Sequence, residues 1–283
     1  MELINGVFEL AEQFMEKPKF VKINEEQTKK IAEQMQATGI TPFPYESTGE
    51  DEKIIILKEL AASAINFCYF YGSSNIRPKG SSSTTMYELL NECIDKNQDF
   101  KTGMAFLCSA LSTHRFPLVQ ERINNIAEVM VYGEQYVLDV YFHHKNPKMH
   151  EFLFKNLIAI FPGYGSDMFL KRASLFFLQL NRHLGYFDEM MTILPVPADY
   201  QVPNMMRHFG CIDYSRKLSK LIWEGELIPK HSRMECEIRS ATVLVGRTLQ
   251  ELTGWKVADI DGWFWLRRKE TSLPFHLTIT TDY

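Results

Sequence analysis

The sequence predicts a mainly α-helical fold, one compact domain over residues 1–283 with a few short strands. Three observations carry that expectation. Apolar residues recur every three or four positions along most of the chain. Capping boxes open two of these stretches and glycine closes several. Period-2 alternation is sparse, and no internal repeat or low-complexity tail is present.

In order, the periodicity predicts helices over Glu2–Glu16, Glu25–Ala37 and Lys53–Phe70. Thr85 with Glu88 forms a capping box that opens a helix carrying Leu89, Leu90 and Cys93. Further helices are expected over Val119–Val131, Met149–Ile160, Phe169–Leu184, Pro203–Phe209 and Ser215–Trp223, with Gly185 and Gly210 as stops. The clearest runs from Ser232, whose capping partner is Glu235, to Leu252, with Gly254 just beyond. Its stripe is Ile238, Ala241, Val245, Leu249 and Leu252. A last helix is expected near Ile260–Lys269, a hairpin in turn-rich Ser73–Ser83 and a strand over Phe275–Thr281.

Composition narrows the function classes. Apolar residues are 45% of the chain and charged residues 23%, the balance of a soluble globular protein. Aromatics at 13% suit a thick core and equally a pocket that stacks a flat ligand. The net charge is −4 with no dense Lys/Arg run, which argues against long nucleic acid as partner, since phosphate contacts call for a basic surface. Five cysteines without CxxC spacing point to reduced thiols in a reducing compartment. The opening stretch contains acids and is not a signal peptide, and no apolar run reaches membrane-spanning length. A soluble cytoplasmic protein is expected.

Four constellations could carry chemistry. Phe161-Pro-Gly-Tyr-Gly165 leads into a helix bearing Lys171 and Arg172, and looks like the turn of helix-hairpin-helix proteins, where glycines let N–H groups approach a phosphate. A plain interhelical turn using glycine for positive φ is the alternative. Asp199 sits in Pro197-Ala198-Asp199-Tyr200-Gln-Val-Pro203, where a stiff backbone gives a carboxylate a fixed direction. A helix cap explains the same aspartate equally simply. Asn66, Phe67 and Tyr69 lie in a dense aromatic segment able to sandwich a heterocycle, although core packing is the commoner use. Asp261 with Trp263 and Trp265 could form the far wall of a pocket, or simply an amphipathic helix. His143, His144 and His150 lack acidic company at metal-ligand spacing and read as a solvated helix end, so no metal or other cofactor is expected. Walker, nucleophile-elbow and Rossmann signatures are missing from the sequence.

Taken as an ordered set, these residues resemble the queuosine salvage protein family, the queuosine 5′-phosphate N-glycosylases. The resemblance runs from about Asn66 to Tyr283. It includes Asn66-Phe67, Pro117 to Glu121-Arg122, Phe161-Pro162 with Tyr164, Lys171-Arg172-Ala173 and Ala198-Asp199-Tyr200 with Pro203. It continues through His208, Gly210, Tyr214-Ser215, Gly225-Glu226, Arg233, Glu235, Glu237-Ile238-Arg239, Asp261, Trp265 and Pro274-Phe275-His276. Pro197 and Leu266 depart from the family pattern, which often has an aromatic and an Asp there. The resemblance implies a fold like the helix-hairpin-helix DNA glycosylases and hydrolysis of a nucleotide N-glycosidic bond to release queuine. It implies Asp199 as the catalytic carboxylate, and Asn66, Phe67, Tyr69, Lys171, Tyr200, Asp261 and Trp265 as substrate-binding, with Lys171 toward the 5′-phosphate. A DNA base glycosylase and a non-catalytic nucleoside-binding protein are the rival expectations.

Overall fold

The computed structural model describes residues 2–41, 43, 49–73, 82–97 and 99–283. From the N-terminus come α1 (Glu2–Met15), β1 (Val21–Ile23), α2 (Glu25–Thr38), α3 (Glu52–Ala64), α4 (Ser83–Asp95) and α5 (Phe100–Thr113). Then follow α6 (Val119–His143), α7 (Pro147–Ile160), α8 (Pro162–Gly165), α9 (Lys171–Leu184) and α10 (Gln201–His208). The chain closes with β2 (Ile212–Tyr214), α11 (Arg216–Trp223), α12 (Arg233–Thr253) and α13 (Val257–Leu266). The mainly α expectation holds. Among the described residues no helix is long and apolar enough to cross a membrane. The contacts divide the chain into two units, Met1–Tyr45 with Asp188–Ile279, and Glu46–Phe187 with Thr280–Tyr283.

In the first unit α12 is the axis, packed by α1, α2, α10, α13 and β1. Ser232 caps it by accepting the Glu235 N–H at 3.4 Å, while the Glu235 carboxylate reaches the His231 N–H at 3.1 Å and not that of Ser232. Gly254, at φ +72°, ends the helix. Ile238, Ala241, Val245 and Leu249 are buried as expected; Leu252 is exposed. Gly246, in mid-helix, is there for clearance, because a Cβ would lie 2.6 Å from Val196 Cγ1. The short β1 pairs antiparallel with β2, Val21 opposite Tyr214, and three residues are too few to show a period. Buried Glu237 anchors this edge: its carboxylate accepts the N–H groups of Lys19, Phe20 and Val21. In place of the strand expected over Phe275–Thr281, an isolated parallel bridge joins Leu277 to Leu227.

In the second unit α3 is enclosed by α4, α6 and α9 and is buried continuously from Ile55 to Ala64. The expected helix Lys53–Phe70 therefore stops six residues early, at Ala64. The helix expected to begin at a Thr85 cap begins earlier, at Ser83, because Ser82 accepts the Thr85 N–H at 3.1 Å. Asp99 opens α5, which periodicity missed, by accepting the Thr102 N–H at 2.9 Å. α6 runs on to His143, well past Val131. Gly133 does not break it; a Cβ there would press on Val129 and Leu57, so glycine lets α3 come close. The hairpin expected in Ser73–Ser83 lies mostly outside the described residues.

Candidate active site

In the first unit, the chain between Leu194 and α10 contains Pro195 and Pro197, and α10 itself carries Pro203 in its first turn; none of the three supplies an N–H. Asp199 lies there, half-buried, its N–H donating to Pro197 O at 3.0 Å. Its Oδ1 accepts from the Gln201 N–H at 2.8 Å and the Val202 N–H at 3.0 Å, the first turn of α10. Asp199 thus does cap a helix, as the simpler reading had it, and the cap uses one oxygen only. Among the described residues Oδ2 has no hydrogen-bonding or ionic partner. The capping bonds fix the plane of the carboxylate.

Neighbouring residues clamp the turn. Tyr200 is buried and donates its hydroxyl to Thr278 O at 2.5 Å, with its ring 5.3 Å from His276 and 5.6 Å from Phe275. Burial, then the charge of Arg239, push the His276 imidazole down to about 3, so it is neutral. Arg239 is enclosed on α12 and donates from Nε to Ala198 O at 2.9 Å. Asp261 and Trp265 are one turn apart on α13. Asp261 is buried; the half-buried Trp265 indole carries the Arg268 guanidinium at 3.5 Å and the Phe43 ring at 5.2 Å.

The second unit gathers Asn66, Phe67, Tyr69 and Lys171. Tyr69 donates to Asn66 Oδ1 at 3.2 Å, and Lys171 Nζ donates to Asn66 O at 3.1 Å. Lys171 is buried, and its N–H is capped by Asp167 Oδ2 at 2.8 Å. The segment is not helical because Arg122 takes its carbonyls, those of Ile65, Phe67 and Cys68, along with Pro117 O at 2.9 Å. Cys68 adopts φ +30°, rare for a side chain, and its N–H is tied to Tyr283 O at 2.9 Å. The Phe67 ring lies between two buried guanidiniums, Arg122 at 4.3 Å and Arg172 at 5.1 Å. Burial lowers the pKa of Arg172. Phe67 is thus packed on both cations, whereas Asn66 and Tyr69 are half-buried.

The Phe161–Gly165 stretch joins α7 to α9, as an interhelical turn should, but without the positive φ expected of its glycines. It is a single helical turn, α8, and neither glycine has positive φ. Glycine is needed for space: a Cβ at Gly163 would meet Asn125 Oδ1 at 2.8 Å, and one at Gly165 would meet Ile158 Cγ2 at 2.6 Å. Gly163 O accepts from Arg172. Of the three histidines His143 is exposed, as a solvated end should be, but the other two are more enclosed: His150 is buried with Nε2 2.7 Å from His144 O, and His144 stacks on Tyr186 at 3.4 Å. A cavity of about 490 Å³ borders α4 and α5, lined by Leu89, Cys93, Phe106 and Ala110 among others; none of the expected site residues lines it.

The sequence gives Arg122 and Arg239 only as family positions and Arg172 also as a neighbour of Lys171, and assigns none of them a role. The signal available was an arginine set in an apolar helix face, which implies a buried partner but not which one.

The helical architecture and the mounted carboxylate are accompanied by a match to a known family. The family model described as "Queuosine salvage protein" matches residues 101–281, and the chain belongs to that family. Three similar proteins carry the name queuosine 5′-phosphate N-glycosylase/hydrolase. That of Schizosaccharomyces pombe is 27% identical over 198 residues, 62% of this chain and 56% of its own. That of Dictyostelium discoideum is 34% identical over 139 residues, 44% of this chain and 42% of its own. That of Sphaerobacter thermophilus is 30% identical over 128 residues, 41% of this chain and 39% of its own. The chain thus spans about half the length, or less, of the curated relatives it matches.

Proposed function

We propose that this chain hydrolyses the N-glycosidic bond of queuosine 5′-phosphate and releases queuine, with Asp199 as the catalytic carboxylate. The single observation that carries the reading is the mounting of Asp199: one oxygen held by two backbone amides, the other without a protein partner among the described residues. The names of the three relatives support the substrate.

Breaking a ribose C1′–N bond builds oxocarbenium character on the sugar. A carboxylate of fixed direction stabilises that charge without reorganising, and it can also deprotonate the attacking water. Water adds at C1′, the C1′–N electron pair leaves with the base, and a proton restores neutral queuine. Queuine is a 7-deazaguanine, so the ring position usually protonated in purine loss is carbon. Leaving-group help then falls to hydrogen bonds on the remaining heteroatoms, for which Asn66 and Asp261 are the proposed donors or acceptors. The proposed roles of Tyr69, Tyr200 and Trp265 are to wall the base, that of Phe67, packed on Arg122 and Arg172, is to hold the neighbouring Asn66 in place, and that of Lys171 is to meet the 5′-phosphate. A helix-hairpin-helix-like arrangement of α7–α9, action as one domain and a cytoplasmic location belong to the same proposal. So does a small nucleotide, not long nucleic acid, as the partner, supported by the net charge of −4.

The test is incubation of the chain with queuosine 5′-phosphate and detection of free queuine by mass spectrometry. Release is expected, and Asp199→Asn should lower kcat at least about 100-fold while nucleotide binding persists. Binding without release by the unaltered chain would make it a nucleoside-binding protein. Full turnover by Asp199→Asn would remove Asp199 from the chemistry.

A further inference from the structure

We propose that Arg239, fixed by Glu235, is the positioning residue that sets the direction of the Asp199 carboxylate; this rests on the reading of Asp199 as catalytic. The peptide joining Ala198 to Asp199 is gripped along both edges. Its N–H donates to Pro197 O at 3.0 Å, and its carbonyl accepts from Arg239 Nε at 2.9 Å. Gripping that plane fixes the Cα–Cβ direction of Asp199, and the two amides on Oδ1 then fix the side-chain torsions.

The donor has to be a side chain. Pro195 and Pro197 remove two N–H groups from the chain ahead of α10 and Pro203 a third from its first turn, and a buried carbonyl without a donor is costly. Arg239 meets the need from a distant helix because it is itself immobilised. It has no exposed side-chain surface, and its Nη1 lies 3.4 Å from Glu235 Oε1. Glu235 is equally enclosed and is anchored through Oε2 to the His231 N–H at 3.1 Å. A buried ion pair of this kind is a poor source of stability compared with apolar packing, so what it supplies is geometry. Tyr200 reinforces the same turn from the other side through Thr278 O.

The experiment compares four forms of the full chain, unaltered, Arg239→Met, Asp199→Asn and the double variant, in queuine release from queuosine 5′-phosphate under single-turnover conditions. Rates are referred to the folded fraction measured by circular dichroism. Arg239→Met keeps the length of the side chain and removes the donor. It should lower kcat about 10- to 100-fold with KM changed less than about twofold. In the Asp199→Asn background it should change the residual rate less than about twofold, because groups that act as a unit are not additive. An equal loss in both backgrounds, or an unchanged kcat per folded molecule, would make Arg239 structural and overturn the proposal. Should Arg239→Met fold poorly, Glu235→Gln, which loosens Arg239 without removing its donor, is read by the same criteria. Failure of the underlying reading is separate: it shows as undiminished turnover by Asp199→Asn, whatever Arg239→Met does.

Discussion

Replacing Glu59 by Gln should change how stability depends on pH, in a direction that its neighbours determine. Glu59 is buried on α3; Tyr87 donates to its Oε2 at 3.1 Å, and His183 Nδ1 lies 3.2 Å from its Oε1. Burial pushes the carboxyl from 4.5 up to about 7, more strongly than Tyr87, Arg182 and Lys58 pull it down. Burial, then the charge of Arg182, push His183 from 6.5 down to about 4. The pair is therefore held as neutral carboxyl and neutral imidazole. A raised carboxyl contributes stability that is whole below pH 4.5 and is lost as pH rises through about 7. A lowered histidine contributes stability that is whole above pH 6.5 and is lost as pH falls through about 4. Each gap, at about 1.4 kcal/mol per power of ten, amounts to about 3 kcal/mol, and the two oppose one another where their ranges overlap. Urea unfolding followed by tryptophan fluorescence from pH 4 to 8 measures this. The advantage of the unaltered chain over Glu59→Gln should shrink by about 3 kcal/mol between pH 4.5 and 7.5. Its advantage over His183→Gln should grow by a similar amount between pH 4 and 6.5. Differences of the opposite sign would mean an ion pair and would refute the assignment of a neutral one; flat differences would refute the burial argument altogether.

Two further outcomes are expected. Gly246→Ala places a Cβ 2.6 Å from Val196 Cγ1, three residues before Asp199, and should cost about 1–3 kcal/mol of stability despite the better helix propensity of Ala, measured by denaturant midpoint. Lys171→Ala should raise KM for queuosine 5′-phosphate at least about tenfold and leave the nucleoside nearly unaffected. Equal losses on both would make Lys171 structural, as its bond to Asn66 O already allows.

Local rules carried most of the helices. The capping of α12 by Ser232, its end at Gly254 and the buried stripe from Ile238 to Leu249 were legible because they depend on neighbours three or four positions away. The same range covers Asp199, whose prolines and cap lie within four residues, and the ordered motifs that place the chain in its family. Tertiary structure alone decided the rest. α3 stops at Ala64 because Arg122, 57 positions beyond Ile65, takes the carbonyls that would have continued the helix. Sequence makes Gly163 and Gly165 turn residues and gives Gly133 no role, but each makes room for a neighbour brought there by folding. Arg239 meets Ala198 across 41 positions, and Glu237 meets Lys19 across 218. A sequence shows that a buried donor or charge needs a partner, since leaving one unmet is costly; only the folded chain selects the partner.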